Sequence, residues 1–371
     1  MVTAGLDMQG YNWDALHCPR EFLKKQRVKD FENYLSLVEP PVGRQMERAR
    51  SIKSNQEFYR FKYGNMAERC SIGHFQLRKL VWATSKNDVY YLSDDTVRQW
   101  IPQGGYSRPI ASLPFKVISM ACKYDLLFAG GAMGEYACQR LDNTESNVCY
   151  GMTTQDINGT TNHLDLFMSR TGVKTGLVSG NDNKVRYLRF DTMTFADTLS
   201  MPFPVNCTAI SPDKNLLCSV GDSTQTILAD ANSGAVMSAI DEHHDFSFSC
   251  AWSPDGRFFV TGNQDKTARV YDIRNTSKTL HLLAGSVGAI RSVQFSNDGE
   301  FLIAAEPIDY VHLYHTKTFD TEQVINLFGA VAGVALTPDD QALFICNADN
   351  DLGCGLYEFQ RVEDEQSTLY I

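Results

Sequence analysis

Residues 258–275 read FFVTGNQDKTARVYDIRN. An alternating apolar run from Phe258 ends in the turn Gly262-Asn263-Gln264-Asp265, and a second alternating run closes on Tyr271-Asp272-Ile273-Arg274. Two short runs of period two around a Gly/Asn/Asp turn predict a β-hairpin. Taking Tyr271-Asp272 as a marker, equivalent positions occur at Trp100-Ile101, Leu141-Asp142, Phe190-Asp191, Ala229-Asp230, Tyr314-His315 and Tyr357-Glu358. The intervals are 41, 49, 39, 42, 43 and 43 residues. Seven units of that period match four-stranded propeller blades and not a helical solenoid.

Each unit carries the same punctuation. Ser211-Pro212-Asp213, Ser253-Pro254-Asp255-Gly256, Ser296-Asn297-Asp298-Gly299 and Thr337-Pro338-Asp339-Asp340 each follow one strand and precede another. Pro presets φ, and Asp or Gly tolerates the tight return, so these predict hairpin turns. The strands that follow (RFFVTGN, NLLCSVGD, EFLIAAE, QALFICN) are apolar on both faces, as strands sandwiched between neighbouring blades must be. The expected fold is all-β: a seven-bladed propeller over residues 66–371, with a partly helical or irregular extension over residues 1–65. Two segments compete to close the ring, ERCSIGHF at 68–75 and STLYI at 367–371. The first is preferred because it ties the two ends of the chain together and removes a free edge.

The bulk composition narrows the classes. At 371 residues and 43% hydrophobic content the chain can bury a large core, and no apolar run is long enough for a membrane helix. The start shows no basic segment followed by an apolar stretch, so no secretory signal is expected. Ten cysteines without a C-x-x-C pair, several within apolar runs, read as reduced core thiols of a cytoplasmic or nuclear protein. A net charge of −10 argues against a nucleic-acid partner. The charge is uneven: residues 20–62 hold eleven Lys/Arg against six Asp/Glu.

The stretch SFSCAWSPDGRFFVTGNQDKTARVYDIRN, 247–275, resembles a WD repeat; the other units are degenerate, with Tyr, Phe, Leu or Ala where that family prefers Trp. The resemblance covers roughly residues 76–362. CSIGHFQLRKLVWATSKNDVYYLSDD, 70–95, and INLFGAVAGVALTPDDQALFICNADNDLGCGLYEFQR, 325–361, are similar to a poorly characterised group of fungal and plant WD-repeat proteins. The resemblance implies a structural hydrogen-bond tetrad of His243, Thr261, Asp265 and Tyr271. Several loop faces on one rigid ring, with no constellation suited to catalysis, lead to the expectation of a non-enzymatic scaffold that binds other proteins. In that family a Trp/Tyr-Asp-x-Arg ending marks many substrate receptors of cullin-type ubiquitin ligases, which here assigns adaptor docking to Tyr271, Asp272 and Arg274. The same Asp and Arg also occur in ordinary repeats as surface ion pairs of little energetic weight.

No nucleophile elbow, phosphate loop or zinc-protease motif is present, and no cofactor or metal site is expected. His243-His244-Asp245 reads as a tetrad member beside an acidic turn, not as a ligand set. Acids recur near the turn between second and third strands: Asp94, Asp95, Asp182, Asp222, Asp265, Asp309 and Asp351. Carboxylates tied to their own turns would be structural. Unpaired ones converging at the centre would favour the alternative function, an enzyme or small-ligand binder using the central funnel.

In the extension, PREFLKKQRVKDFENYLSLVEPP predicts a short amphipathic helix broken at Pro40-Pro41. Val28, Phe31, Leu35 and Leu37 are spaced like the anchors of an export-type or partner-binding peptide. The competing expectation is a helix packing that apolar face on the propeller wall. The polar stretch after it reads as a linker, and the 49-residue interval between the second and third units as a surface loop.

Overall fold

The computed structural model describes residues 6–37, 47, 49, 52, 56–142, 147–349 and 354–363. It contains five four-stranded sheets and one seven-stranded sheet, all antiparallel. The seven-stranded sheet is two blades joined: the strand Glu322–Leu336 pairs with Ile308–His315 along its first part and with Ala342–Asn347 along its second. Seven blades result. In the first six, strands run from the axis outward in chain order, the seventh takes its outer strand from earlier in the chain, and the first strands of successive blades lie side by side around the centre. Six of the seven sequence markers fall at or just beyond the end of a third strand, and the seventh, Tyr357-Glu358, lies within the third strand of its blade, Gly355–Arg361.

The joined strand bends at Gly329, whose φ is +119°. A Cβ there would come within 2.5 Å of the Asn347 side-chain oxygen and 2.6 Å of Asp349 Cβ, so only glycine fits.

The hydroxyl-x-Asp turns explain their own recurrence. Ser211, Ser253, Ser296 and Thr337 each accept the backbone N–H five residues on, at 2.8–3.0 Å. Each hydroxyl donates to the Asp two residues on, at 2.5–2.6 Å. That Asp in turn accepts the N–H two residues beyond itself. A short polar lock therefore fixes four of the hairpins that feed the apolar second strands. In those strands Phe259, Val260, Leu302, Ile303, Phe344 and Ile345 are fully buried. Each such side chain contributes about 2 kcal/mol by leaving water.

Ring closure differs from expectation. Residues 68–75 do not supply the last outer strand. Tyr59–Asn65 does, antiparallel to Gly355–Arg361 with Tyr59 opposite Arg361. The propeller thus begins ahead of residue 66, and the extension ends before residue 59. Residues 68–75 form no strand; they lead into the first blade, with Gly73 pressed against the Val117 carbonyl. Residues 367–371 lie outside the described residues. The closing strand is pinned at its start: Tyr59 is fully buried, its hydroxyl donates to the Asp340 carbonyl at 2.7 Å, and the Gln323 side-chain oxygen accepts the N–H groups of Phe58 and Tyr59 at 2.8 Å. Phe58 and Tyr59 pack on Phe301.

Candidate interaction surfaces

The fifth blade carries most of the residues singled out in the sequence. His243 Nδ1 lies 2.9 Å from Asp265 Oδ2 and its Nε2 lies 2.8 Å from Thr261 Oγ1, all buried within the blade. Asp265 also accepts the His244 N–H and the Thr267 N–H and hydroxyl. Burial would raise its carboxyl pKa, but the His243 charge and these hydrogen bonds outweigh burial and hold it well below the usual range. The fourth expected member, Tyr271, does not join. It is fully buried and stacks on Phe259 with centroids 4.9 Å apart, and its hydroxyl makes no bond to Thr261. A phenol carries its oxygen at the ring tip, whereas an indole N–H leaves from the side; the substitution keeps the packing and loses the bond.

At the far end of the same strand, Arg274 clasps Asp272, with Nε–Oδ1 at 2.9 Å and Nη2–Oδ2 at 2.6 Å. The Arg274 hydrogen bond holds the Asp272 carboxyl below its ordinary value. Arg257 adds a 3.3 Å contact to the same carboxylate. The Arg274 side chain is 66% exposed, and Nη1 takes no part in the clasp. Equivalent positions in the second and third blades hold related clasps, Arg140–Asp142 and Arg189–Asp191, where the Arg precedes the Asp. The pairing is therefore a recurrent rim device, and the Asp-x-Arg order is specific to blade five among these three.

The turn acids are mostly held in place. Asp94 exchanges bonds with Ser71, and Asp182 pairs with Arg186. Asp222 accepts from Asn206, Asp265 binds His243, and Asp309 binds Arg27. Asp351 lies outside the described residues. Burial raises the Asp222 carboxyl, the one acid of this set moved that way. Among the described residues no group of three or more His, Cys, Asp or Glu is arranged to hold a metal ion.

The N-terminal arm lies across the opposite face from Arg274. Its helix spans Arg20–Asp30. No residue of the helix is buried, so the expected apolar docking face is replaced by a polar one. Arg20 donates to the Asn326 carbonyl at 2.7 Å, and Arg27 grips Asp309. Val28 is 41% exposed. Phe31 caps the helix in an extended conformation, and Leu35 and Leu37 lie beyond its end, Leu35 being 70% exposed. The four apolar residues thus do not share one helical face. Pro40-Pro41 lie outside the described residues. After the helix, the Asn33 side chain donates to the Gln264 carbonyl and accepts from the Gln264 side-chain amide and the Ala289 N–H, while Ser36 N–H donates to Asp245. Before it, Gln9 exchanges bonds with Phe328, and Trp13 packs edge-on against the Phe328 ring. No helix among the described residues is long and apolar enough to cross a membrane.

Seven radial four-stranded blades closed by a strand from the chain's start define a β-propeller. Residues 235–272 match the WD domain, G-beta repeat family, and residues 288–326 match an uncharacterised protein domain, DUF2415. An uncharacterised protein of Schizosaccharomyces pombe is 25% identical over 271 residues, covering 68% of this chain and 76% of its own length. The Saccharomyces cerevisiae protein SOF1 is 29% identical over 116 residues, 30% of this chain and 24% of its own. A chain from the crystal structure of a mitotic checkpoint complex superposes with TM-score 0.68 at 16% identity, over 88% of this chain and all of that one, which shows the fold alone. The chain thus carries a WD repeat within a seven-bladed propeller, and propellers of the WD-repeat family generally act as protein-interaction scaffolds.

Proposed function

We propose that this propeller is an interaction scaffold of the cytoplasm or nucleus that presents substrates to a cullin-type ubiquitin ligase, docking the ligase adaptor through the blade-five rim. The observation that carries this reading is the separation of two faces. The chain's own arm occupies the end of blade five where Gln264 and Asp245 lie, while the other end stays open and offers Arg274. Asp272 holds the guanidinium in one orientation, so its outer edge is a pre-set planar donor for a carboxylate or carbonyl of a partner. Tyr271 supports the site only through packing from below.

The test is co-purification of the propeller-shaped adaptor from native cells. Wild-type protein is expected to retain it, and Arg274→Ala to lose it while Tm moves by no more than about 1–2 °C, because an exposed ion pair adds little stability. Equal recovery with the variant, or no adaptor with either protein, overturns the ligase assignment and leaves a scaffold for other partners.

A further inference from the structure

The mouth of the axial channel on the arm-covered face is closed by apolar residues from three blades, Leu77, Ile118 and Phe248. Two arginines sit in this plug. Arg291 is 3% exposed and Arg78 is 9% exposed. Neither forms an ion pair with a carboxylate among the described residues. Arg78 gives Nη1 to the carbonyls of His74 and Leu77, and its Nε has no partner. Arg291 gives Nη2 to Tyr34 Oη at 2.7 Å and to Gln264 Oε1 at 2.5 Å; its Nε and Nη1 have none. Its guanidinium lies 3.9 Å from the Phe248 ring centroid and 5.5 Å from that of Tyr34.

Buried cations are normally paired, because desolvating an unmatched charge is expensive. Here two occur within mutual electrostatic range. Burial, then the charge of Arg291, draws the Arg78 pKa down to about 10, so it stays protonated at neutral pH. Burial and the charges of Arg78, Lys116 and Arg291 draw the neighbouring His74 pKa down to about 4. The acid within range is Asp245, and its two oxygens already accept the N–H groups of Ser36 and Phe246. Deeper in, Lys79 Nζ lies 2.8 Å from His163 Nε2. In a chain of net charge −10, this concentrates positive potential at one place on the axis.

We propose that the channel mouth is an oxyanion site, in which Arg78 and Arg291 supply buried N–H donors to a phosphate group, Lys116 adds an exposed charge, and Tyr34 of the arm covers the ligand. The donors come from the first and sixth blades and the arm, and Lys116 precedes the first strand of the second. Convergence from several directions suits a tetrahedral anion better than a planar carboxylate. The ligand class is a phosphate or a small phosphomonoester, bound independently of any partner at the blade-five rim.

The full chain is titrated with inorganic phosphate and, separately, with phenyl phosphate, at ionic strength held constant with sodium chloride. Tm is read by scanning fluorimetry and binding by calorimetry. Saturable binding of phosphate with a rising Tm is expected, and Arg78→Met and Arg291→Met should abolish both while folding normally in phosphate-free buffer. Lys116→Ala, at an exposed position, should weaken binding about fivefold and keeps the test valid if either arginine variant does not fold. Binding of both probes marks a site open to a phosphorylated small molecule; binding of phosphate alone marks a site for the free ion. Phosphate acting no differently from chloride, or equally on wild type and all three variants, overturns the proposal.

Discussion

Arg27 holds Asp309 across 282 residues of sequence, Nε to Oδ2 at 2.6 Å and Nη2 to Oδ1 at 2.7 Å. The same Oδ1 accepts the N–H of Gly329 at 2.7 Å. One carboxylate therefore links the N-terminal helix, the turn inside blade six, and the bend where blade six becomes blade seven.

Arg27→Ala would leave Asp309, with a side chain only 2% exposed, as an uncompensated buried charge. A loss of about 1–3 kcal/mol is expected, below the full cost of breaking a buried pair because Arg27 itself is partly solvated. Limited proteolysis should then cut within residues 6–37 faster than in wild type. Asp309→Asn, which keeps an acceptor for Gly329, should destabilise less.

Gly329→Ala should be costly in a different way. Its φ of +119° is closed to side chains, and the added methyl meets Asn347 and Asp349. Strain and displacement together should cost about 2–4 kcal/mol in chemical denaturation, with an unchanged m-value if the fold is kept.

His312 gives the molecule an alkaline limit. Its Nε2 lies 2.8 Å from Glu306 Oε1 and its Nδ1 2.5 Å from Glu322 Oε1. Burial opposes its charge, but the two carboxylates overcome burial and raise its pKa from 6.5 to about 9. A folded value above the unfolded one means the stabilisation is complete below pH 6.5 and is lost as pH rises through about 9. Tm should fall over that interval, and His312→Gln should start lower and show a flatter slope. NMR titration of the imidazole checks the assignment directly.

Removing residues 1–56 should leave a folded ring, whereas removing residues 1–65 should not. The longer deletion takes away the outer strand of blade seven, exposes the edge of Gly355–Arg361 and uncovers Phe301. Circular dichroism and light scattering should report aggregation for the longer deletion alone.

The repeat was legible because hydroxyl-x-Asp turns and doubly apolar strands are local patterns with local causes. Closure was legible too, in principle: Tyr59, Phe61 and Tyr63 alternate with Arg60 and Lys62, a period-two signal bordered by charge. Choosing 68–75 as the closing segment placed the domain boundary a few residues too late. The arm's docking could not be read, since Arg27 is one base among many until Asp309 is placed beside it. Nor could the channel mouth, because Arg78 and Arg291 are 213 positions apart and meet only when the ring closes.

The register of the closing strand also sets how the ring yields to traction. Tyr59, where the chain enters, faces Arg361, where it leaves, so tension between the two ends peels the rungs one after another instead of shearing them together. The clasp opens like a zipper, from the end at which Tyr59 is fastened to Asp340 and Gln323. A machine that threads either terminus would meet its main resistance at that fastening, and past it the remaining blades would follow in turn.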